Sequence, residues 1–439
     1  MYKPIVAVVG KPNVGKSSFF NRVVGKRISI VEDTPGVTRD RVYCDTDWAG
    51  YAMTLIDTGG IEPNLEDEWQ KYILMQAQLA IDVAEVVVFI VDGKDGVTPD
   101  DHHVAMLLRK SKKPIVLAVN KMDTLRADDL LPFYELGLGE PIGMSCSHGL
   151  GIGDVLDSVV NKLSRCVQPV EQDDRIKIAI VGRPNAGKSS ITNRLLGEER
   201  VVVSPVAGTT RDSIDVPFRY NSKDYTIIDT AGIRRKNKID YSSIEGYSVM
   251  RSLSAIRRAD VVVYVLDASD EITEQDTRVL GYIHEQGKPS VIVYNKWDLI
   301  EKDTHTANLY KQKLQTDLKF MSYFVVVYVS ALTGTRFGKI MENVEYVYDH
   351  ANTRITTGLL NEIVQDAIFS NPPPSKAGHR LKINYATQVS TCPPTFALFM
   401  NNPDLMHFSY LRYLENCLRK AKNFEGTPIR LLLRKKSKE

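Results

Sequence analysis

A loop of the form G-x-x-x-x-G-K-S occurs twice in the sequence, and its residue types are suited to holding phosphate groups. One copy follows the apolar run from Ile5 to Val9, and the other follows the run from Ile176 to Val181. At a strand-to-helix turn, glycines let backbone N–H groups close around phosphates, the lysine neutralises the β and γ oxygens, and the serine binds Mg²⁺. Duplication in the same context argues against an accidental glycine-rich turn. The two predicted phosphate-binding loops are Gly10, Lys11, Pro12, Asn13, Val14, Gly15, Lys16 and Ser17, and Gly182, Arg183, Pro184, Asn185, Ala186, Gly187, Lys188 and Ser189.

An aspartate ends a later strand-like run in each copy. Asp57 and Asp229 are therefore predicted to hold Mg²⁺ through water. Gly60 and Gly232 follow them and are expected to donate a backbone N–H to the γ-phosphate, a contact that hydrolysis removes, so both segments are predicted switches. A second switch residue, linked to Mg²⁺, is expected at the threonine of the sequence Thr-Arg-Asp that occurs in each copy. The predicted contacts are Thr38, Asp57, Thr58, Gly59, Gly60 and Ile61, and Thr210, Asp229, Thr230, Ala231, Gly232 and Ile233.

A block of the form Asn-Lys-x-Asp predicts which base is bound. The carboxylates of Asp123 and Asp298 can accept two hydrogen bonds from N1–H and the 2-amino group of guanine, whereas adenine offers no such donor pair. The lysine is expected to lie over the base, the asparagine to tie this block to the phosphate loop, and a later backbone N–H to reach the guanine O6. Cys146 needs only to be small and buried. The predicted contacts are Asn120, Lys121, Met122, Asp123, Ser145 and Cys146, and Asn295, Lys296, Trp297, Asp298, Ser330 and Ala331.

The spacing of these blocks indicates two homologous domains in tandem. The first three kinds of block recur 172 positions apart and the fourth 175 positions apart. Continuous apolar, β-branched runs alternate with helical stretches, which is typical of parallel strands buried on both faces of a doubly wound α/β sheet. We predict a first nucleotide domain at 1–165, a polar linker at 166–175, a second nucleotide domain at 176–350 and a third domain at 351–439.

The third segment is basic and has a different pattern of elements. From residue 351 to 439 there are thirteen Lys or Arg and six Asp or Glu, a net charge of +7. The pattern predicts a helix over 359–369, strands over 381–389 and 395–400, a helix over 410–421 and a strand over 429–433. This order is similar to that of a KH-type RNA-binding module, a small α+β fold. Because no G-x-x-G occurs in the segment, there are two interpretations of its surface: it clamps single-stranded RNA, or it docks a nucleotide domain or another RNA. Phe408, Tyr410 and Tyr413 are interpreted as helix packing.

Composition excludes several classes of protein. The 439 residues are 43% hydrophobic and 25% charged with a net charge of +2, which excludes a disordered chain and a uniform polyelectrolyte. The five cysteines are odd in number and contain no C-x-x-C pair, so neither a disulfide framework nor a zinc site is predicted. With no secretory signal and no long apolar stretch, we expect a cytoplasmic location.

The order and residue types of the blocks resemble those of the EngA/Der family of tandem double-domain GTPases over nearly the whole chain. The resemblance implies two P-loop GTPase domains followed by a KH-like domain, and hydrolysis of GTP to GDP and phosphate. It also implies a role in assembling the large (50S) ribosomal subunit through contact with rRNA or ribosomal proteins. We expect GTP or GDP and Mg²⁺ as ligands, no DNA or membrane partner, and a monomer. The alternative is an RNA- or protein-binding module in which only one domain turns over GTP.

Hydrolysis must proceed without the glutamine that orients water in small signalling GTPases, because Ile61 and Ile233 stand at that position. Asn13 and Asn185 stand where K⁺-stimulated relatives hold a monovalent cation, so K⁺ stimulation is one hypothesis. The alternative is that these asparagines only stabilise the turn. The expected chemistry is positioning and electrostatics. Its predicted catalytic residues are Lys16, Thr38, Gly60, Lys188, Thr210 and Gly232.

Overall fold

The computed structural model describes residues 4–24, 43–57, 77–78, 80–124, 126–166, 175–197, 201–203, 215–228, 245–373, 375–376 and 379–435. The chain divides into two compact units, residues 1–173 with 243–251 and residues 174–242 with 252–439. The first unit contains the first repeat together with residues 243–251 of the second, and the second unit contains the rest of the second repeat and the basic C-terminal segment. In the described part of the chain, no helix is both long and apolar enough to cross a lipid bilayer.

The first repeat forms a six-stranded sheet. Its elements are β1 (Ile5–Val9), α1 (Lys16–Val24), β2 (Tyr43–Trp48), β3 (Tyr51–Asp57), β4 (Val86–Asp92), α2 (Pro99–Ser111), β5 (Ile115–Asn120), β6 (Ile142–Gly143) and α3 (Ile152–Cys166). The strand order is β2-β3-β1-β4-β5-β6, and every neighbouring pair is parallel except β2 with β3. All residues of β1 and β4 are buried, as expected for strands covered on both faces.

The second repeat forms a seven-stranded sheet with the same central arrangement. Its elements are β7 (Ile176–Gly182), α4 (Lys188–Gly197), β8 (Val201–Val203), β9 (Val216–Tyr220), β10 (Lys223–Ile228), α5 (Glu245–Arg258), β11 (Val261–Asp267), α6 (Glu274–Glu285), β12 (Ser290–Asn295), α7 (Thr306–Asp317), β13 (Val325–Tyr328) and α8 (Lys339–Ala351). The strand order is β13-β12-β11-β7-β10-β9-β8, in which β8 and β9 form the antiparallel edge. Both phosphate loops therefore leave a central strand, and the predicted doubly wound, mostly parallel fold is confirmed.

Matching caps start a helix at the same place in both repeats. The carboxylate of Asp101 accepts a hydrogen bond from the backbone N–H of Thr98 (3.0 Å), and that of Asp276 accepts one from Thr273 (2.8 Å). These Thr-x-x-Asp boxes satisfy a backbone donor at the beginning of α2 and α6. The paired caps fix the start of the helix that follows β4 and β11 in the two repeats.

The C-terminal segment is a small α+β domain. Its elements are α9 (Thr357–Ser370), β14 (Ser375–Lys376), β15 (His379–Arg380), β16 (Ile383–Ser390), β17 (Thr395–Met400), α10 (Phe408–Ala421) and β18 (Arg430–Lys435). In the sheet β16-β17-β18, β17 is antiparallel to β16 and parallel to β18. Helices and sheet enclose a core that includes Leu360, Val364, Phe396, Leu398 and Leu414. The predicted helix-strand-strand-helix-strand order is confirmed.

Two details of this domain differ from the sequence-based expectations. The strand predicted from Leu381 begins at Ile383, because the side chain of Asn401 binds the backbone of Lys382 and interrupts the ladder. Tyr410 and Tyr413 hold α10 against α9 through hydroxyl hydrogen bonds to backbone carbonyls of α9 and the residue after it. Phe408, by contrast, does not pack into the core, since it is 48% exposed at the start of α10.

Two candidate nucleotide sites

The lysine of each phosphate loop is held inside its own loop. Lys16 Nζ donates to the carbonyls of Gly10 (2.7 Å) and Lys11 (2.9 Å), and Lys188 Nζ makes the equivalent bonds to Gly182 (2.8 Å) and Arg183 (2.6 Å). Burial lowers the pKa of both ammonium groups to about 8. The carboxylate of Asp57 opposes this shift at Lys16. A phosphate that replaces the two carbonyls would supply the negative charge that each buried cation lacks.

An asparagine joins each base-recognition block to its phosphate loop. Asn120 Nδ2 donates to Val14 O at 2.6 Å, and Asn120 Oδ1 accepts from the backbone N–H of Cys146 at 3.0 Å. In the second repeat, Asn295 bonds in the same way to Ala186 O and to the N–H of Ala331, both at 3.0 Å. The backbone N–H groups of Cys146 and Ala331 therefore hold the asparagine in place, in the segments from which a contact to the guanine O6 is expected.

The close approach of this asparagine explains one glycine of each loop. A Cβ atom on Gly15 would lie 2.2 Å from Asn120 Nδ2, and one on Gly187 would lie 2.1 Å from Asn295 Nδ2. Both glycines also have a φ near +95°, in the region that favours glycine. The last glycine of the motif is therefore required by packing as well as by backbone conformation.

A hydroxyl and a carboxylate meet beside the first phosphate loop. Ser17 Oγ donates to Asp57 Oδ2 at 3.0 Å, where α1 begins and β3 ends. Oxygen donors of this kind are those that Mg²⁺ prefers, and Mg²⁺ uses few protein ligands when phosphates complete its shell. The pair fits that ion. Ser189 has the same place at the start of α4, but Asp229 lies outside the described residues.

The carboxylate predicted to recognise guanine has different neighbours in the two repeats. Asp123 accepts hydrogen bonds from Lys94 Nζ (2.9 Å) and Ser145 Oγ (3.1 Å), which lower the pKa of its carboxyl group, and His148 Nε2 lies 3.7 Å away. Within the described part of the chain, the side chain of Asp298 forms neither a hydrogen bond nor an ion pair. Guanine at the first site must share its carboxylate with a lysine.

The lysine of each base-recognition block is anchored to an aspartate that ends the preceding strand of the sheet. Lys121 Nζ lies 2.5 Å from Asp92, and Lys296 Nζ lies 2.5 Å from Asp267. Burial alone would raise the pKa of these two carboxyl groups, but hydrogen bonds from the lysine and from nearby backbone N–H groups outweigh it and lower the pKa. Each lysine is thus held at its ammonium group by a carboxylate.

The other predicted residues take the following places. Val14, Ala186, Met122, Cys146 and Trp297 are buried, and burial raises the pKa of the Cys146 thiol to about 11, consistent with a small buried residue. Asn13 and Asn185 are exposed in turns with φ near +65°. Several predicted contacts lie outside the described residues: Thr38, Thr58, Gly59, Gly60, Ile61, Thr210, Asp229, Thr230, Ala231, Gly232 and Ile233.

Asp92, Asp267 and Lys94 lie at the sites but were not predicted from the sequence, and neither was one contact of the second phosphate loop. Arg183 Nε lies 3.1 Å from Asp276, whose side chain is fully buried, whereas Lys11 pairs with the exposed Asp95 at 3.3 Å. Asp92 and Asp267 end apolar runs 175 positions apart, the spacing of the fourth block, and that repetition is a signal that would have found them.

Known families match all three segments. The profile described as "50S ribosome-binding GTPase" matches residues 5–121 and 177–296, and that of the "KH-domain-like of EngA bacterial GTPase enzymes, C-terminal" matches residues 354–434. GTPase Der of Alkaliphilus oremlandii is 54% identical over 438 residues, which cover 100% of this chain and 99% of the relative. The chain belongs to the EngA/Der family of GTPases. GTPase Der of Acetivibrio thermocellus is also 54% identical, and the match covers 100% of both chains.

Membership of the Der family settles the reaction. The protein binds guanine nucleotides and hydrolyses GTP, as the duplicated P-loop blocks predict. Its KH-like C-terminal domain is confirmed both by the family profile and by the three-stranded sheet with its two helices.

Proposed function

We propose that this Der-family GTPase is a switch that assists assembly of the large ribosomal subunit. The observation that carries the proposal is the union of two matched nucleotide sites with a C-terminal domain of net charge +7. A basic domain suits a polyanionic partner such as rRNA. The description of the matching profile as ribosome-binding supports the same partner. We further propose that the protein works as a cytoplasmic monomer, without DNA or membrane partners.

Each site is proposed to act by positioning and charge. Lys16 and Lys188 would bind the β and γ oxygens, while Asp123 and Asp298 would select guanine. Ser17, Thr38 and Asp57 would hold Mg²⁺ at the first site, and Ser189, Thr210 and Asp229 would do so at the second. The ion supplies charge neutralisation on the phosphates. Gly60 and Gly232 would contact the γ-phosphate through backbone N–H groups.

A monovalent cation and three domain boundaries are also part of the proposed function. Asn13 and Asn185 are proposed to hold K⁺ beside the phosphates, in place of the charge that an arginine supplies elsewhere. Equal GTP turnover in K⁺ and Na⁺ would refute this role. The proposed domains are 1–165, 176–350 and 351–439, with the linker at 166–175.

The different neighbours of Asp123 and Asp298 favour one alternative, in which only one site turns over GTP. Lys16→Ala and Lys188→Ala, made separately in the full chain, distinguish the two cases. Similar partial losses of turnover support two active sites. Complete loss from one variant and none from the other supports a passive second site.

Co-sedimentation with isolated ribosomal subunits tests the proposed partner. The full chain is sedimented with large or small subunits in GDP and in a non-hydrolysable GTP analogue. We expect binding to the large subunit in the GTP-analogue state. Absence of binding in both states would leave a GTPase with a different partner.

A further inference from the structure

The sheet of the C-terminal domain has one face under helices and one face open. Phe396 and Leu398 of β17 point into the core formed with α9 and α10, so the alternate residues of β17 point to the opposite side. No described helix packs on that side along the row formed by Tyr385, Phe399 and Arg434. These three residues lie directly across from one another on β16, β17 and β18.

Two aromatic rings stand side by side in this row. The ring centroids of Tyr385 and Phe399 are 5.9 Å apart, with 42° between the planes. Tyr385 is 45% exposed, and the open face continues through the exposed side chains of Leu432 and Val389. Exposed aromatic rings on a sheet are a common platform on which unpaired bases stack.

Cations surround the same end of the sheet. Arg380 and Lys382 precede β16, and Arg434 and Lys435 end β18 beside the partners of Tyr385 and Ile383. All four side chains are exposed, and none has a carboxylate within ion-pair distance among the described residues. Asp404, in the neighbouring 3-10 helix, pairs with none of them. Lys435 lies across from the core residue Met400, on the face covered by the helices, so three of these cations are on the side of the two rings. Three uncompensated positive charges beside two aromatic rings suit a chain of phosphates carrying bases.

The other end of the sheet is closed by the second GTPase domain. Arg430 donates to the backbone carbonyl of Glu285 at 2.6 Å, and Pro393 lies against Gly287. A strand of nucleic acid would therefore lie across the basic end, over Tyr385 and Phe399. The segment also lacks the G-x-x-G loop on which KH domains clamp RNA, so the usual route is missing.

We propose that the open face of the C-terminal sheet binds single-stranded RNA. Bases stack on Tyr385 and Phe399, and phosphates contact Arg380, Lys382 and Arg434. The choice of RNA as the partner rests on the proposed ribosomal function. The location of the site rests on the exposed ring of Tyr385, the half-buried ring of Phe399 beside it and the unpaired cations.

Fluorescence anisotropy with a labelled twelve-nucleotide RNA and the full-length protein tests the site. We expect Tyr385→Ala to weaken binding about tenfold or more, because one stacked base contributes on that scale. Tyr385→Leu should weaken binding similarly, since it keeps apolar bulk but removes the ring. Phe369→Ala is the matched control: it is 89% exposed in α9 of the same domain, and it should leave affinity unchanged.

Two substitutions that each remove one positive charge complete the test. Arg434→Gln should weaken binding and reduce the dependence of affinity on salt. Lys420→Gln, at an exposed position of α10, should do neither. Unchanged thermal melting of each variant shows that the domain remains folded. Equal effects of the Tyr385 and Phe369 substitutions, or equal affinity for duplex RNA, would overturn the proposal.

Co-sedimentation separates this proposal from the ribosomal one. If the wild-type chain binds the labelled RNA through Tyr385 but no ribosomal subunit, the sheet site stands and the proposed ribosomal function fails. If the chain binds the large subunit and Tyr385→Ala leaves RNA affinity intact, the ribosomal function stands and the sheet site fails.

Discussion

Lys94 Nζ lies 2.9 Å from Asp123 Oδ2, on the carboxylate that would recognise guanine at the first site. Ser269 has the equivalent place in the second repeat, 175 positions later, and its hydroxyl donates to Asp267 at 2.6 Å instead of reaching Asp298. The two nucleotide sites are therefore built from the same motifs but differ in the charge beside the base. The first site must exchange an ion pair for base contacts, and the second need not.

Exchanging these two residues should exchange the affinities of the sites. We expect Lys94→Ser to tighten GDP binding at the first site about two- to fivefold, because the ammonium group no longer competes for Asp123. Ser269→Lys should weaken the second site by a similar factor. Titration with fluorescent GDP, in backgrounds where Lys16→Ala or Lys188→Ala silences the other site, measures each change. The difference should shrink in high salt; a salt-independent difference would contradict this explanation.

Gly15→Ala should disable the first nucleotide site. The new Cβ would meet Asn120 Nδ2 at 2.2 Å and would break the hydrogen bond to Val14 that joins the two loops. Gly139→Ala is the matched control, because Gly139 has a φ of +98° against +97° at Gly15 but has open space around its Cβ position. We expect loss of GDP binding only for Gly15→Ala. Equal losses would mean that backbone conformation alone requires glycine at position 15.

Nucleotide binding should take up protons above neutral pH. The buried Lys16 and Lys188 have a pKa of about 8 without phosphate, and a bound phosphate raises the pKa of each. At pH 8.5 we expect an uptake of roughly three-quarters of a proton per site, and little uptake at pH 6.5, where both lysines are already charged. Calorimetry of GDP binding in two buffers of different ionisation enthalpy measures this number. Lys188→Ala should remove about half of it.

The same lowered pKa sets the direction of a stability change. Between pH 8 and 10.5 the unfolded chain binds more protons at these lysines than the nucleotide-free fold does, so this contribution favours the fold increasingly as pH rises. If the free energy of unfolding of the wild-type protein fell between pH 8 and 10.5 relative to that of Lys16→Met, the lowered pKa of Lys16 would be contradicted. Urea unfolding without nucleotide at several pH values provides the comparison.

Arg183→Ala should destabilise the second nucleotide domain by about 2–3 kcal/mol. The substitution leaves the fully buried carboxylate of Asp276 without its cation, although hydrogen bonds from Thr273 and Tyr264 remain. Lys11→Ala is the control in the first domain, where the partner Asp95 is exposed, and it should change stability little. Urea unfolding followed through Trp297, in a Trp48→Phe, Trp69→Phe background, reports on the second domain, and Trp48, in a Trp69→Phe, Trp297→Phe background, reports on the Lys11→Ala control in the first. Equal midpoints for wild type and Arg183→Ala would contradict the role of this pair.

The sequence was sufficient to predict the two nucleotide domains because their signals are local. The apolar run from Ile5 to Val9 is long and β-branched enough to form a strand buried on both faces. The loop that follows has a conformation set by its own glycines. The duplicate at Ile176 repeats both features, so each copy supports the interpretation of the other. The Asn-Lys-x-Asp blocks follow buried strands for the same reason.

The tertiary structure alone decided which side chains surround those motifs. Lys94 and Asp123 are 29 positions apart on separate loops, and only the parallel pairing of β4 with β5 brings the two loops together. Arg183 reaches Asp276 across 93 positions because the cap of α6 lies beside the phosphate loop. Likewise, side chains along the strands of the C-terminal domain point alternately to the two faces of the sheet. The packing of α9 and α10 on one face determined that Tyr385 and Phe399 lie on the opposite face. Local patterns specify elements because neighbouring residues share a backbone. Contacts between distant residues depend on how completed elements pack.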